Sequence, residues 1–129
     1  MEIIVGTYEE FLIGYQLKRL DDGYALEQTF TDRAHCGSVR CVTATAKTLV
    51  SGSTDEAIHI YNMSRRSDAG TLQQHSGTVT QLEFFKTTHL FSASEDGTVC
   101  VWDTRTWQCE KTLRGHKDAV TALSVHPSG

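Results

Sequence analysis

The stretch from His75 to Asp103, HSGTVTQLEFFKTTHLFSASEDGTVCVWD, recurs along the chain with its landmarks at a nearly fixed step. His35 precedes His75 by 40 residues, Asp55 precedes Asp96 by 41, Tyr61 precedes Trp102 by 41, and His116 follows His75 by 41. An apolar trio keeps the same step: Val39, Val42 and Ala44, then Val79, Leu82 and Phe84, then Val120, Leu123 and Val125. Units of this size cannot cover their own apolar faces, so neighbouring copies must stack.

Inside a unit the period falls to two. Ile58 and Ile60 are matched by Val99 and Val101, and such alternation sets one face of a strand against a neighbour. The trio marks an inner strand. A second strand is predicted over Leu49–Ser53 and Leu90–Ser94, and a third over Ala57–Tyr61 and Thr98–Trp102. Outer strands fall near Thr71-Leu72 and over Glu110–Leu113, and the polar link from Met63 to Gly70 reads as a surface loop. Residues 2–17 fit the same unit at an offset of 46, with Gly6 on Gly52 and Tyr15 on Tyr61, but without a first strand. A turn at Asp21-Asp22-Gly23 then leads into an outer strand over Tyr24–Phe30.

A repeat of about 40–45 residues with a His turn at its start and a Trp-Asp end is the signature of a WD40 β-propeller blade. The expected fold is therefore all-β: an incomplete WD40 propeller with a partial blade over 1–33, full blades over 34–74 and 75–114, and the start of another over 115–129. Propellers close with about four to eight blades, and 129 residues are too few for that. The chain reads as the amino-terminal part of a longer propeller, ending at the turn signal Pro127-Ser128-Gly129. By itself such a piece, with an uncovered edge and uncovered blade faces, is expected to self-associate.

The net charge of −4 resides in residues 1–33, where seven acids (Glu2, Glu9, Glu10, Asp21, Asp22, Glu27, Asp32) face three bases (Lys18, Arg19, Arg33). The remainder is balanced, so no electrostatic footprint for direct nucleic-acid binding is evident. No apolar run approaches the roughly 18 residues of a bilayer span, and no membrane partner is expected. The four cysteines, Cys36, Cys41, Cys100 and Cys109, lack the density of a disulfide scaffold and read as thiols.

His75, Ser92 and Asp96 could be drawn as a catalytic triad. Catalysis would need an exposed serine on a sharp turn and an oxyanion hole, and neither is signalled. Repetition favours a structural hydrogen-bond network of His75, Ser92, Asp96 and Trp102, with His35, Ser51, Asp55 and Tyr61 as a second set in which a phenol replaces the indole. No enzymatic activity is expected. Glu9 has no matching His or Ser, so the partial blade carries no such set. The run His35, Cys36, Cys41 falls short of the paired spacing zinc prefers. Gly115-His116-Lys117 lacks phosphate-loop spacing, and Arg105, Lys111, Arg114 and Lys117 are interrupted by Glu110 and Asp118. Neither a metal nor a cofactor is expected. What remains is binding by turns on one face, with candidates Cys36, Ser38, Glu56, Ser76, Glu95 and Lys117.

The segments MEIIVGTYEEFLIGY, DEAIHIYNM, HSGTVTQLEF and SEDGTVCVWDTRTWQCEKTLRGHKDAVTALSVHPSG together resemble the amino-terminal part of the WD40-repeat proteins that interact with p21-activated protein kinases. Leu17 to Arg33 resembles them least. The resemblance implies a seven-bladed propeller in the nucleus and nucleolus that acts in large ribosomal subunit assembly and pre-ribosomal RNA processing. It also implies protein partners: pre-ribosomal assembly factors, and the regulatory region of a p21-activated kinase whose activation is restrained. A generic WD40 adaptor for another complex, or a truncated product without function, is the alternative.

Overall fold

The computed structural model describes residues 1–114 and 118–126 and contains strands without helices among them. Eleven strands form three antiparallel sheets in chain order. The first holds β1 (Glu2–Gly6), β2 (Phe11–Leu20) and β3 (Gly23–Arg33). The second holds β4 (Val39–Ala44), β5 (Thr48–Ser53), β6 (Ile58–Asn62) and β7 (Ser67–Leu72). The third holds β8 (Val79–Phe85), β9 (His89–Ser94), β10 (Val99–Asp103) and β11 (Gln108–Leu113). Each sheet is a meander, and β1 takes the place that β5 and β9 hold as second strands.

Two apolar clusters weld the sheets face to face. Leu12 of the first sheet packs with Val39, Leu49 and Tyr61 of the second, with Ile4 and Phe30 against them. Val50, Ile58 and Ile60 of the second sheet join Val79, Leu82, Leu90, Cys100 and Trp102 of the third. Close approach depends on one small residue near the end of each second strand. A Cβ at Gly6 would lie 2.5 Å from Val39 Cγ1, and one at Gly52 would lie 2.5 Å from Val79 Cγ1 and 2.8 Å from Cys41 Sγ. The corresponding residue of β9, Ala93, is fully buried. Polar contacts lock the same seams. Glu2 binds both terminal nitrogens of Arg66 at 2.8 and 2.9 Å, and Arg66 in turn lies 5.5 Å above the Phe30 ring.

The structure corrects three expectations. Ser67–Leu72 is a strand, not part of a surface loop; its residues are exposed apart from half-buried Leu72, so the ladder to β6 holds it without any apolar alternation. The outer strand expected over Tyr24–Phe30 runs from Gly23 to Arg33, because its pairing with β2 continues from Phe11–Arg33 to Leu20–Gly23 at the turn. Residues 118–126 form no strand. Val120 donates to the Ser94 carbonyl at 2.9 Å and accepts from Thr80 at 2.5 Å, but no described residue supplies a partner strand within its own sheet. The turn expected at Pro127-Ser128-Gly129 lies outside the described residues.

Gly52→Ala forces a methyl group into the Val79 contact, and overpacking of this kind typically costs about 1–3 kcal/mol. The expected outcome in urea denaturation is a lowered midpoint, whereas Ala93→Gly, which removes one methyl, shifts it less.

Candidate functional site

The second and third sheets each carry a buried polar chain that starts at the turn before the inner strand. His75 lies ahead of β8, Ser92 in β9, Asp96 in the β9–β10 turn and Trp102 in β10. The Trp102 indole N–H donates to Ser92 Oγ at 2.9 Å, and Ser92 Oγ lies 2.7 Å from His75 Nε2. His75 Nδ1 lies 3.1 Å from Asp96 Oδ2. A carboxylate only accepts, so Nδ1 carries the proton, Nε2 is the acceptor and the serine hydroxyl donates to it. Ser92 and His75 each accept one of these hydrogen bonds and donate the next. Asp96 also accepts from the backbone N–H groups of Ser76 and Thr98 at 2.9 Å each, which closes the turn.

The second sheet repeats this chain with one difference. His35 Nε2 lies 2.7 Å from Ser51 Oγ, His35 Nδ1 lies 3.1 Å from Asp55 Oδ2, and Asp55 accepts from the N–H groups of Cys36 and Ala57 at 2.9 and 3.0 Å. Tyr61 does not take the place of Trp102. Its ring stacks on Phe30 with centroids 4.9 Å apart, tying the second sheet to the first, and among the described residues the Ser51 hydroxyl bonds to the histidine alone. A phenol in the indole's position directs its oxygen along the ring axis, away from where an indole N–H branches off. Tyr61 is thus a correction: a packing residue between sheets, outside the polar chain.

Two members of these sites had little signal in the sequence. Thr98 Oγ1 donates to Asp96 Oδ1 at 2.6 Å and lies 3.1 Å from His75 Nδ1; its counterpart at the 41-residue step is Ala57, so repetition did not mark it. His59 is buried and bonds Asp32 of the neighbouring sheet at 3.0 Å, with its ring edge-on to His35 at 5.9 Å. β6 is covered on both faces, which leaves no alternation to flag an inward histidine.

Electrostatics follow from the geometry. Burial opposes the charge on Asp96, but hydrogen bonds from Thr98, Ser76 and His75 outweigh it and push the carboxyl down to about 2. Asp55 is lowered in the same way against its burial, by Ala57, Cys36 and His35. Burial lowers His35 from its ordinary 6.5 more than the Asp55 carboxylate raises it. Burial pushes the Cys41 thiol up to about 12 and the Cys100 thiol up to about 11, far from a reactive thiolate. Ser92 and Ser51 are fully inaccessible, so neither hydroxyl can meet a substrate carbonyl.

The turns behave differently. Cys36, Glu56, Ser76 and Glu95 are exposed at the rim defined by the His and Asp turns. Ser38 is half-buried, and its hydroxyl donates to the Tyr8 carbonyl at 3.0 Å, bridging the first two sheets. Lys117, like Gly115 and His116, lies outside the described residues. Tyr8, 87% exposed, and Glu9 add an aromatic ring and a further carboxylate to the same rim.

Stacked four-stranded antiparallel meanders, each locked by a buried His–Ser–Asp chain, define a class: blades of a β-propeller built for rigidity. The WD domain, G-beta repeat, matches residues 26–62, 67–103 and 107–129, and the chain belongs to this WD40 family. It is similar to p21-activated protein kinase-interacting protein 1-like of Danio rerio, 43% identical over 129 residues, which cover all of this chain and 35% of that protein. Protein MAK11 of Saccharomyces cerevisiae is 32% identical over 149 residues, covering 98% of this chain and 36% of that protein. Among solved structures, a chain of the Mitotic Checkpoint Complex superposes with a TM-score of 0.86 at 27% identity, covering 99% of this chain and 38% of that one. The chain thus spans about a third of the length of these relatives.

Two outcomes follow for the polar chains. Trp102→Phe removes the indole donor to Ser92 Oγ, at a net cost of about 0.5–1.5 kcal/mol, while Tyr61→Phe deletes a hydroxyl outside the chain and leaves the urea midpoint nearly unchanged. The buried His35 resists protonation, whereas the unfolded chain takes up that proton below pH 6.5. Stability is therefore full above pH 6.5 and falls as pH drops beneath it. His35→Gln flattens this slope in denaturation series at pH 7.5 and 5.5.

Proposed function

We propose that this chain is part of a non-enzymatic WD40 scaffold that holds protein partners through the turns of the His/Asp rim. The observation that carries this reading is that the chain's nucleophile-and-base constellations are sealed and internally satisfied, while the turns beside them present exposed carboxylates and an aromatic ring. A rigid ring that displays its loops suits assembly better than turnover. The likeness over all 129 residues to p21-activated protein kinase-interacting protein 1-like supports a specific form of it. In that form the scaffold works in the nucleus and nucleolus, in large ribosomal subunit assembly and pre-ribosomal RNA processing. It also engages the regulatory region of a p21-activated kinase and restrains its activation. The likeness to Protein MAK11 extends the same blade framework to a distant organism.

The rim carboxylates supply the test. Glu56→Lys combined with Glu95→Lys reverses two exposed charges without touching the buried chains. In the full-length protein, pulldown of the kinase regulatory segment and co-sedimentation with large-subunit precursors are expected to fall at least tenfold while thermal unfolding stays unchanged. Retention of both associations would contradict the rim as the docking face. Absence of both associations from the unaltered full-length protein would leave the generic adaptor as the better description.

A further inference from the structure

The hairpin of β2 and β3 is built unlike its counterparts. β6 and β10 have five residues and β7 and β11 have six, whereas β2 has ten and β3 eleven. Asn62, the end of β6, corresponds to Gln16 at the 46-residue offset, so Leu17–Leu20 and their partners Gly23–Leu26 are extra. At about 3.4 Å per residue they stand roughly 13 Å past the level of the other blades. β2 begins at the turn matching Asp55, so its far end emerges on the side opposite the rim.

The two faces of this arm differ in chemistry. Residues directly opposite in an antiparallel ladder share a face, as do residues two apart. One face continues Leu12 and Phe30 toward the second sheet and carries Gln16 with Glu27, Lys18 with Ala25 and Leu20 with Gly23. Lys18 and Glu27 form an ion pair there. The other face carries Tyr15 with Gln28, Leu17 with Leu26 and Arg19 with Tyr24. Leu26 is 56% exposed and Tyr24 is 69% exposed. The paired positions of this face carry no carboxylate, Asp21 lying beyond them at the tip, and Arg19 has no ion pair among the described residues. At the tip, Arg19, Leu20, Asp21, Gly23 and Tyr24 line a concavity of about 460 Å³.

A neighbouring blade with strands of five to seven residues, like those of the second and third sheets, reaches the level of Gln16 and stops short of the arm. We propose that the arm is a docking site for a segment of a partner protein that sets apolar side chains against Leu17, Leu26 and Tyr24 and a carboxylate against Arg19. A second copy fits poorly, because a two-fold contact would set Arg19 against a face whose paired positions carry no carboxylate. RNA fits poorly too: over residues 17–28, Lys18 and Arg19 are outnumbered by Asp21, Asp22 and Glu27. The site lies opposite the rim, so it stands independently of the rim reading.

Photo-crosslinking in cells tests it. Benzoylphenylalanine is placed at position 26 of the full-length protein, and at position 20 on the other face as the control. The expected result is a crosslink from position 26 alone, to a protein segment with apolar residues and an Asp or Glu. Arg19→Glu should reduce it at least tenfold with unchanged thermal unfolding, and changing that acidic residue of the partner to Lys should restore it. Equal labelling from position 20, crosslinks to RNA, to a second copy or to the same chain, indifference to Arg19→Glu, or absence of any crosslink would each overturn the proposal.

Discussion

Trp102, Ser92, His75 and Asp96 form one chain of hydrogen bonds on which the blade depends. The links run from the indole N–H through the serine hydroxyl to the imidazole N–H and the carboxylate. The chain crosses from β10 to β9 and then to the turn before β8, so it fixes the entry turn to the middle of the sheet. Because the histidine and serine are buried, a broken link would leave a polar group without water to replace its partner. The resulting rigidity holds the exposed turns in place, and the same burial removes the serine from chemistry.

Apolar packing works alongside it at a second level. Gly6 and Gly52 let the inner-strand valine of the next sheet sit against the backbone, and the apolar clusters close over that contact. Where the first sheet lacks a polar chain, other interactions hold the seam: Phe30 on Tyr61, Glu2 with Arg66, and His59 with Asp32. The sheet without a polar chain is thus joined to its neighbour by ring stacking, an ion pair and a histidine–carboxylate bond.

The repeat was legible because the same physical task recurs at the same step. His35, Ser51 and Asp55 meet as His75, Ser92 and Asp96 do, and the inner strands at Val39 and Val79 were readable from apolar spacing. Legibility fails where structure comes from pairing without burial. Ser67–Leu72 is held by its ladder and is almost wholly exposed, so its sequence looks like a loop. The long hairpin owes its length to contacts across strands, Leu17 with Leu26 and Lys18 with Glu27, which no single strand reveals. Tyr61 misled because its place in the repeat is Trp102's, while its chemistry suits stacking. The exposed rim was visible only as turn residues; that Ser38 is bound to Tyr8, and so differs from Glu56 or Glu95, needed the fold.

The chain has two tryptophans, and their indole protons give a direct test of the polar chain as the blade's anchor. Trp102 is buried with its N–H bonded to Ser92, whereas Trp107 is half-buried at the β10–β11 turn. Native-state hydrogen exchange should show the Trp102 indole opening with the free energy of global unfolding and the Trp107 indole exchanging far faster through local motion. Exchange of both indoles at similar rates would contradict the account, since the chain would then open without the blade unfolding.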